Sequence, residues 1–376
     1  MIDVLVIGGG LAGCATAYFL AADGVDVTLI EKGDLNTRAS GSNAGSLHAQ
    51  IPFDPFSRYG AAWTATFAPT IGLLACSIAL WRELPAMLGA ALDVSLKGGL
   101  LAAATDADMA VLERKADVER AQGLTIELLD RTALRRVAPY LSPALAGGAF
   151  CPDEGKANPF AATPAFAAAA IKAGARVLRN RDVTGVARVA DGYEVATTGG
   201  MLRARRVVNA AGSEAGAIAA MLGLRFGIEG FPIQVSVTEP VAPLIPHLLY
   251  YTGDKLTLKQ NGVGSLLIGG GWPARLGRHG HPSIDPASFR ANLALAVVVV
   301  PALAEIRVVR SWAAIVNGTD DWKPILGEVP GMPGFFMDFF PWMGFTAGPL
   351  AARIVASLVQ GRTPPVDMDL RPFLPQ

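Results

Sequence analysis

The sequence predicts an α/β protein of two lobes, one organised on a parallel sheet and the other α+β and built on an antiparallel sheet. Three observations lead there. A strand, a glycine turn, a helix and a second strand open the chain. Short strands broken by Pro and Gly fill residues 231–268. Strand-to-small-residue turns recur near residue 210 and before the last helix, so parallel-sheet material lies at the start, the middle and the end. Such interleaving implies that each lobe is discontinuous in sequence.

The opening unit reads Asp3-Val4-Leu5-Val6-Ile7-Gly8-Gly9-Gly10-Leu11-Ala12-Gly13, and an acid, Glu31, closes the next apolar run. Gly8 allows a tight turn, Gly10 lets backbone approach a pyrophosphate, and Gly13 lets the helix pack close to the strand. The helix N-terminus, with Leu11 and Ala12, offers unpaired N–H groups to phosphate. Glu31, with Lys32 beside it, lies about 20 residues on, where a carboxylate accepts hydrogen bonds from ribose hydroxyls. The same carboxylate repels a 2′-phosphate, which disfavours NADP. This lobe is therefore expected to be Rossmann-like and to bind a dinucleotide.

After Glu31 a Ser/Gly/Asn loop covers residues 39–46, and mostly helical sequence runs from 57 to about 137, interrupted by a strand near 93–103. Residues 158–173 read as a helix stopped by Gly174. Strands follow at 176–179, 183–189, 193–198 and 202–208, joined by Asp-Gly and Gly-Gly turns. The last runs into Asn209-Ala210-Ala211-Gly212, a second strand-to-turn element. Residues 286–300 read as a helix, 306–316 as a strand, and 349–359 as the final helix, with Gly361 and Pro364 beyond it. The expected division gives 1–50, 145–220 and 318–376 to the dinucleotide lobe, and 51–144 and 221–317 to a substrate lobe.

Composition narrows the function classes. Lys plus Arg and Asp plus Glu are both 32, so no net field favours nucleic acid. Charged residues are 17% and apolar ones 51%, which implies a large buried fraction or a face covered by a partner. Cys14, Cys76 and Cys151 lack CxxC spacing and read as small apolar residues of a reducing compartment, so a cytoplasmic protein without disulfides or a metal site is expected. No histidine pair has metal-ligand spacing on a helix, and His279 and His281 read as solvated loop residues. Residues 2–22 lack a basic n-region, so no signal peptide is expected. Residues 60–81 are uncharged but hold Pro69 and Gly72, and read as a core helix rather than a span; 293–304 is too short to cross a bilayer.

With these residues in hand, the chain resembles the D-amino-acid oxidase superfamily of flavoproteins, in the branch of glycine oxidase, sarcosine oxidase and the FAD-bearing subunits of hydroxyproline and opine dehydrogenases. The resemblance spans nearly the whole chain. It rests on the glycine motif with Glu31, on Ala39-Ser40-Gly41-Ser42-Asn43-Ala44-Gly45-Ser46-Leu47-His48, and on Asn158-Pro159 followed by Asp182-Val183. It continues through Asn209-Ala210-Ala211-Gly212, Trp312 with Gly318-Thr319-Asp320-Asp321-Trp322-Lys323-Pro324, and Met343-Gly344-Phe345-Thr346-Ala347-Gly348. The resemblance implies FAD as cofactor. Gly8, Gly10 and Gly13 would hold its pyrophosphate, Glu31 its ribose and Val183 its adenine, with Ala211 and Gly212 keeping side chains away. Ser40, Ser42, Asn43, Ala44, Gly45, Ser46 and Leu47 would run under the flavin ring. Gly344, Phe345 and Thr346 would aim helix-terminal N–H groups at its pyrimidine edge.

The resemblance also implies chemistry: a neutral amine presents its α C–H to flavin N5, and hydride transfer leaves an imine that hydrolyses. A secondary amine or N-substituted amino acid is the favoured substrate. The alternatives are a primary D-amino-acid oxidase or dehydrogenase, the flavin-bearing subunit of a hetero-oligomeric dehydrogenase with an electron-acceptor partner, and a non-catalytic nucleotide-binding protein. Two departures matter. Val316 takes the place of the family's carboxylate-clamping arginine, and the strand near Leu267 lacks the lysine of sarcosine oxidases. Candidates for the substrate side are His48, Tyr250, Tyr251, Lys259 and, at the flavin turn, Trp342, with Arg58 a substitute carboxylate partner. Phe336 and Phe339 read as the core of a strand.

Overall fold

The computed structural model describes residues 1–376, apart from the side chain of His279, so the expected exposure of that side chain lies outside the described residues. Val4 to Ile7 form a run buried on both faces, as a central parallel strand must be. Strand Ile2–Ile7 pairs in parallel with Val27–Ile30 on one side and with Gly200–Asn209 on the other. Arg176–Leu178 extends the sheet beyond Val27–Ile30, and Phe335–Phe339 followed by Ile325–Glu328 completes the opposite edge. The first half of Gly200–Asn209 also carries the hairpin strands Gly192–Thr197 and Val183–Val189, which makes eight strands in all. Helix Leu11–Ala22 packs between the closing helix Gly344–Val359 and helix Pro159–Lys172.

A second eight-stranded sheet runs in the order Val308–Gly318, Glu229–Pro240, Ser265–Gly269, Thr257–Gln260, Leu248–Tyr251, Gly99–Ala103, Gly147–Cys151, Glu127–Asp130. Its pairings are antiparallel except between Leu248–Tyr251 and Gly99–Ala103.

Three expectations need correction. Residues 57–137 contain a second strand, Glu127–Asp130, whose four residues are too short to show an alternating pattern. Gly147–Cys151 belongs to this second sheet, although the expected segment 145–220 assigned it to the dinucleotide lobe. Its glycines conceal it: a Cβ on Gly147 would lie 2.4 Å from the Leu129 carbonyl oxygen, and one on Gly148 2.8 Å from that of Leu101. Small residues are needed there, and they carry no hydrophobic signature. The closing helix begins at Gly344, not near Pro349. Proline favours the first helical position, but here it sits inside, buried against the fold.

Helix Phe53–Leu88 joins two helical stretches across a break at Gly60 (φ 74°, ψ −168°). By length and composition it could cross a membrane, yet half of its apolar stretch is buried within the fold. Phe67, Ile71, Leu74, Ile78 and Trp81 are all at most 1% exposed. The helix packs against the closing helix.

A very tight contact of the dinucleotide lobe is at Gly13, where an added Cβ would sit 1.9 Å from the Gly8 carbonyl oxygen. Gly13→Ala must therefore push helix and turn apart. A loss of about 1–3 kcal/mol is expected, read from the midpoint of urea unfolding, with reduced FAD content in the purified protein. A midpoint and FAD content equal to wild type would show that the close approach is dispensable.

Candidate active site

The Gly8 turn is seated on the second small-residue turn. Gly8 has φ +114°, and a Cβ there would lie 2.5 Å from the Ala210 carbonyl oxygen. Ala210 N in turn donates to Ile7 O at 2.9 Å. A groove starts from this junction. Gly8, Gly10, Leu11 and Ala12 form its floor, and Ala211, Gly212 and Val183 one wall. Ser40, Ser42, Asn43, Gly344 and Phe345 line it as well. Ser40 and Ser42 belong to a short helix, Ala39–Ser42, inside the expected loop. Ser40 Oγ accepts from Leu11 N at 2.9 Å. Glu31 also lines the groove; its carboxylate accepts from Gly9 N at 2.7 Å and from Gly33 N at 2.9 Å. Lys32 lines it too and forms an ion pair with Glu214.

Six expected cofactor residues stand behind the groove instead of on its surface. Gly13 packs against Gly8. Ala44 and Gly45 turn toward residue 157, where a Cβ on Gly45 would lie 2.1 Å from the Ala157 carbonyl oxygen. Ser46, Leu47 and Thr346 form a buried joint: Thr346 Oγ1 donates to Ser46 O at 3.1 Å and accepts from His48 N at 3.1 Å. A bare glycine floor, helix-terminal N–H groups and a carboxylate at the rim fit an extended dinucleotide.

From Ser46 the chain runs as a strap, and side chains from remote elements take its backbone N–H groups. His48 N goes to Thr346, and Ala49 N and Gln50 N go to Glu154 Oε1 at 2.5 and 2.7 Å. Ile51 N goes to Glu119 Oε1 at 2.6 Å. Glu119 is ion-paired at 2.6 Å with Lys115, and both side chains are 0% exposed. Sequence reading missed Glu154, Glu119 and Lys115. On a helix, Lys115 and Glu119 look like an ordinary i,i+4 surface pair.

The strap borders a cavity of about 1000 Å³. His48, Tyr250 and Tyr251 line it, and the His48 and Tyr250 rings lie 6.1 Å apart. Burial, aided by the charge of Lys259, lowers the His48 pKa to about 4, so the imidazole is neutral at neutral pH. Burial likewise pushes the Tyr250 phenol well above its usual range. Arg58 reaches only the rim, where it is exposed and paired with Asp54 at 2.6 Å.

Trp342 lines both groove and cavity. It takes φ 56°, a conformation unusual for a bulky residue, while its N donates to Asn317 O at 2.9 Å. Its ring stacks on Trp322 at 5.0 Å and packs on Phe231 at 4.7 Å. Trp322, also at positive φ (59°), was not singled out from sequence for the site. Phe336 and Phe339 are buried in their strand. Val316 lines the groove, so the expected arginine position is aliphatic.

Lys259 changes the reading of the missing lysine. Leu267 does occupy the expected strand, but the register places Lys259 directly opposite it. Lys259 lines neither groove nor cavity. It is 1% exposed, and its Nζ donates to Ser46 Oγ at 2.5 Å. Burial, with a smaller contribution from Lys156, lowers its pKa to about 7.

Residues 3–358 match the family model of FAD-dependent oxidoreductases designated DAO. The chain belongs to this family. It is therefore an FAD-dependent oxidoreductase. Among curated relatives, the glycine oxidase of Geobacillus kaustophilus (strain HTA426) is 29% identical over 380 residues, covering 99% of this chain and 96% of that one. The sarcosine oxidase subunit beta of Rhizobium meliloti (strain 1021) is 27% identical over 376 residues, covering 96% and 85%. The crystal structure of glycine oxidase from Geobacillus kaustophilus superposes with a TM-score of 0.89 at 27% identity, covering 100% of this chain and 98% of that one.

In this oxidoreductase the strap is held by carboxylates, so its integrity can be tested away from the chemistry. Glu154→Ala leaves the buried N–H groups of Ala49 and Gln50 without acceptors. At about 1–3 kcal/mol for each unsatisfied group, urea unfolding should show a loss of several kcal/mol, with a smaller loss for Glu154→Gln. Equal midpoints for Glu154→Ala and wild type would mean that Glu154 does not hold the strap.

Proposed function

We propose that this flavoenzyme oxidises the C–N bond of an amine or amino acid, with a secondary amine or N-substituted amino acid as its substrate class, giving an imine that water hydrolyses. Trp342 carries the reading. It closes the cofactor groove and opens the cavity, so a molecule in the cavity lies next to the flavin end of the groove. FAD supplies the acceptor for the hydride that leaves the substrate carbon. The similarity to proteins named glycine oxidase and sarcosine oxidase supports an amine as the donor.

The chain's own residues then have separable tasks. Trp342, Trp322 and Phe231 present an aromatic wall that excludes water and favours a large apolar substituent. Val316 offers no bidentate clamp, and Arg58 is already paired at the rim, so a small glycine-like carboxylate has no buried cation to hold it. The neutral imidazole of His48 is a hydrogen-bonding partner on the same wall. Hydride loss requires the amine unprotonated. Lys259 Nζ, neutral above about pH 7, lies behind Ser46 Oγ and acts on the site through that residue, without touching the amine.

A second reading, as the FAD-bearing subunit of a hetero-oligomer that passes electrons to a partner, draws on the similarity to a sarcosine oxidase subunit beta. Peroxide release at the turnover rate by this chain alone would exclude it.

Two measurements test the proposal. Trp342→Ala should shift kcat/KM among a panel of N-alkyl amines and amino acids by tenfold or more toward smaller substrates, at unchanged FAD content; an unaltered rank order would take Trp342 out of the site. In wild type, kcat should rise with pH through about 7 as Lys259 loses its proton. Lys259→Met should erase that limb, because Ser46 Oγ then has no titrating partner. A retained limb near pH 7 in the methionine variant would assign the proton elsewhere.

A further inference from the structure

Between the opening and closing helices, at the end of strand Phe335–Phe339, lies a carboxyl group that the proposed chemistry does not use. Asp338 is 2% exposed and lines the cofactor groove. Thr16 Oγ1 donates to its Oδ2 at 2.7 Å, whereas Oδ1 has no hydrogen-bond partner among the described residues. Burial raises its pKa to about 7, against a smaller downward pull from the Thr16 hydrogen bond.

No neighbouring element brings it a countercharge. Helix Leu11–Ala22 carries the Cys14 thiol and the Tyr18 phenol as its only titratable groups, and Cys14 is pushed up to about 12 by burial and then by Glu31. The closing helix carries Arg353, whose guanidinium lies over the Phe19 ring. Strand Gly200–Asn209 carries Arg203, Arg205 and Arg206; Arg203 pairs with Glu194, Arg205 is exposed, and Arg206 is bound to Asp3 and the Val359 carbonyl. Strand Ile325–Glu328 carries Glu328, which accepts from Gly334 N.

We propose that Asp338 binds FAD as a neutral acid, its Oδ1 hydroxyl donating a hydrogen bond to an oxygen of the pyrophosphate–ribityl stretch. This rests on FAD occupying the groove and is independent of which amine is oxidised. The pyrophosphate is anionic, and the helix N-terminus at Gly10 is suited to receive it. An ionised Asp338 would set a like charge against it in a poorly solvated groove, whereas the protonated form supplies a donor.

The pH consequence has a definite sign. Binding raises the Asp338 pKa above its value in the free protein, so affinity for FAD is full below about pH 7. Above that it falls, approaching tenfold per pH unit.

The test uses holoenzyme diluted in steps at pH 6 to 9, with released FAD read by its fluorescence. Wild type should lose FAD increasingly above pH 7, whereas Asp338→Asn, which cannot ionise, should hold one affinity across the range. Lys259 titrates in the same pH range but is common to both proteins, so it cancels in the comparison. Thr16→Val should move the wild-type break to higher pH, because it removes the hydrogen bond that favours the carboxylate; this variant also serves if the asparagine protein fails to fold. Matching pH profiles for wild type and Asp338→Asn, wild-type affinity that rises with pH, or a break unmoved by Thr16→Val would each overturn the proposal.

Discussion

The architecture turns on a single buried threonine. Thr346, in the first turn of the closing helix, is 0% exposed. Its hydroxyl binds the strap at Ser46 and His48, while its carbonyl accepts from Ser77 Oγ at 2.6 Å and Trp81 Nε1 at 2.8 Å. The closing helix is thereby fixed at one point to two segments that lie well over two hundred residues before it. A hydrogen bond of this kind contributes only about 1 kcal/mol net, but losing it strands a buried partner. The groove and the cavity keep their relative position because the helix that ends one and the strap that borders the other share this residue.

Around that joint, the polar interior divides into two kinds of group. Some are held by direct partners: Glu119 Oε1 by Lys115 and the Ile51 N–H, and Glu154 by the backbone of the strap. Others sit near neutrality because burial makes charge expensive, as at His48 and Lys259. A buried ion pair is weak support for stability taken alone. Here it orders backbone N–H groups that no helix or strand would satisfy. The aromatic wall is a third device. Trp322 and Trp342 both adopt a backbone conformation that glycine would enter freely, which implies that the surrounding packing holds their rings in place.

Much of this was legible from the residues. The Gly8–Gly10–Gly13 spacing, Glu31, and the turn at Asn209 to Gly212 declare themselves because backbone contact tolerates few alternatives. The strands from residue 176 to 209 show plain turn chemistry between apolar runs. What stayed hidden had no local signal. Gly147 and Gly148 form a strand by absence of bulk. Glu154 and Glu119 differ from surface acids only through what the fold brings to them. The position of Lys259 depends on cross-strand register, which no single strand encodes.

The strand order of the first sheet also bears on how the protein is made. Ile2–Ile7 is made well before its neighbour Gly200–Asn209, which appears some two hundred residues later, and Phe335–Phe339 follows later still. Until Gly200–Asn209 is made, this buried strand has one partnerless edge. Such non-local pairing is slow and exposes sticky intermediates. The nascent chain is therefore one that molecular chaperones should shelter until its final helix has docked.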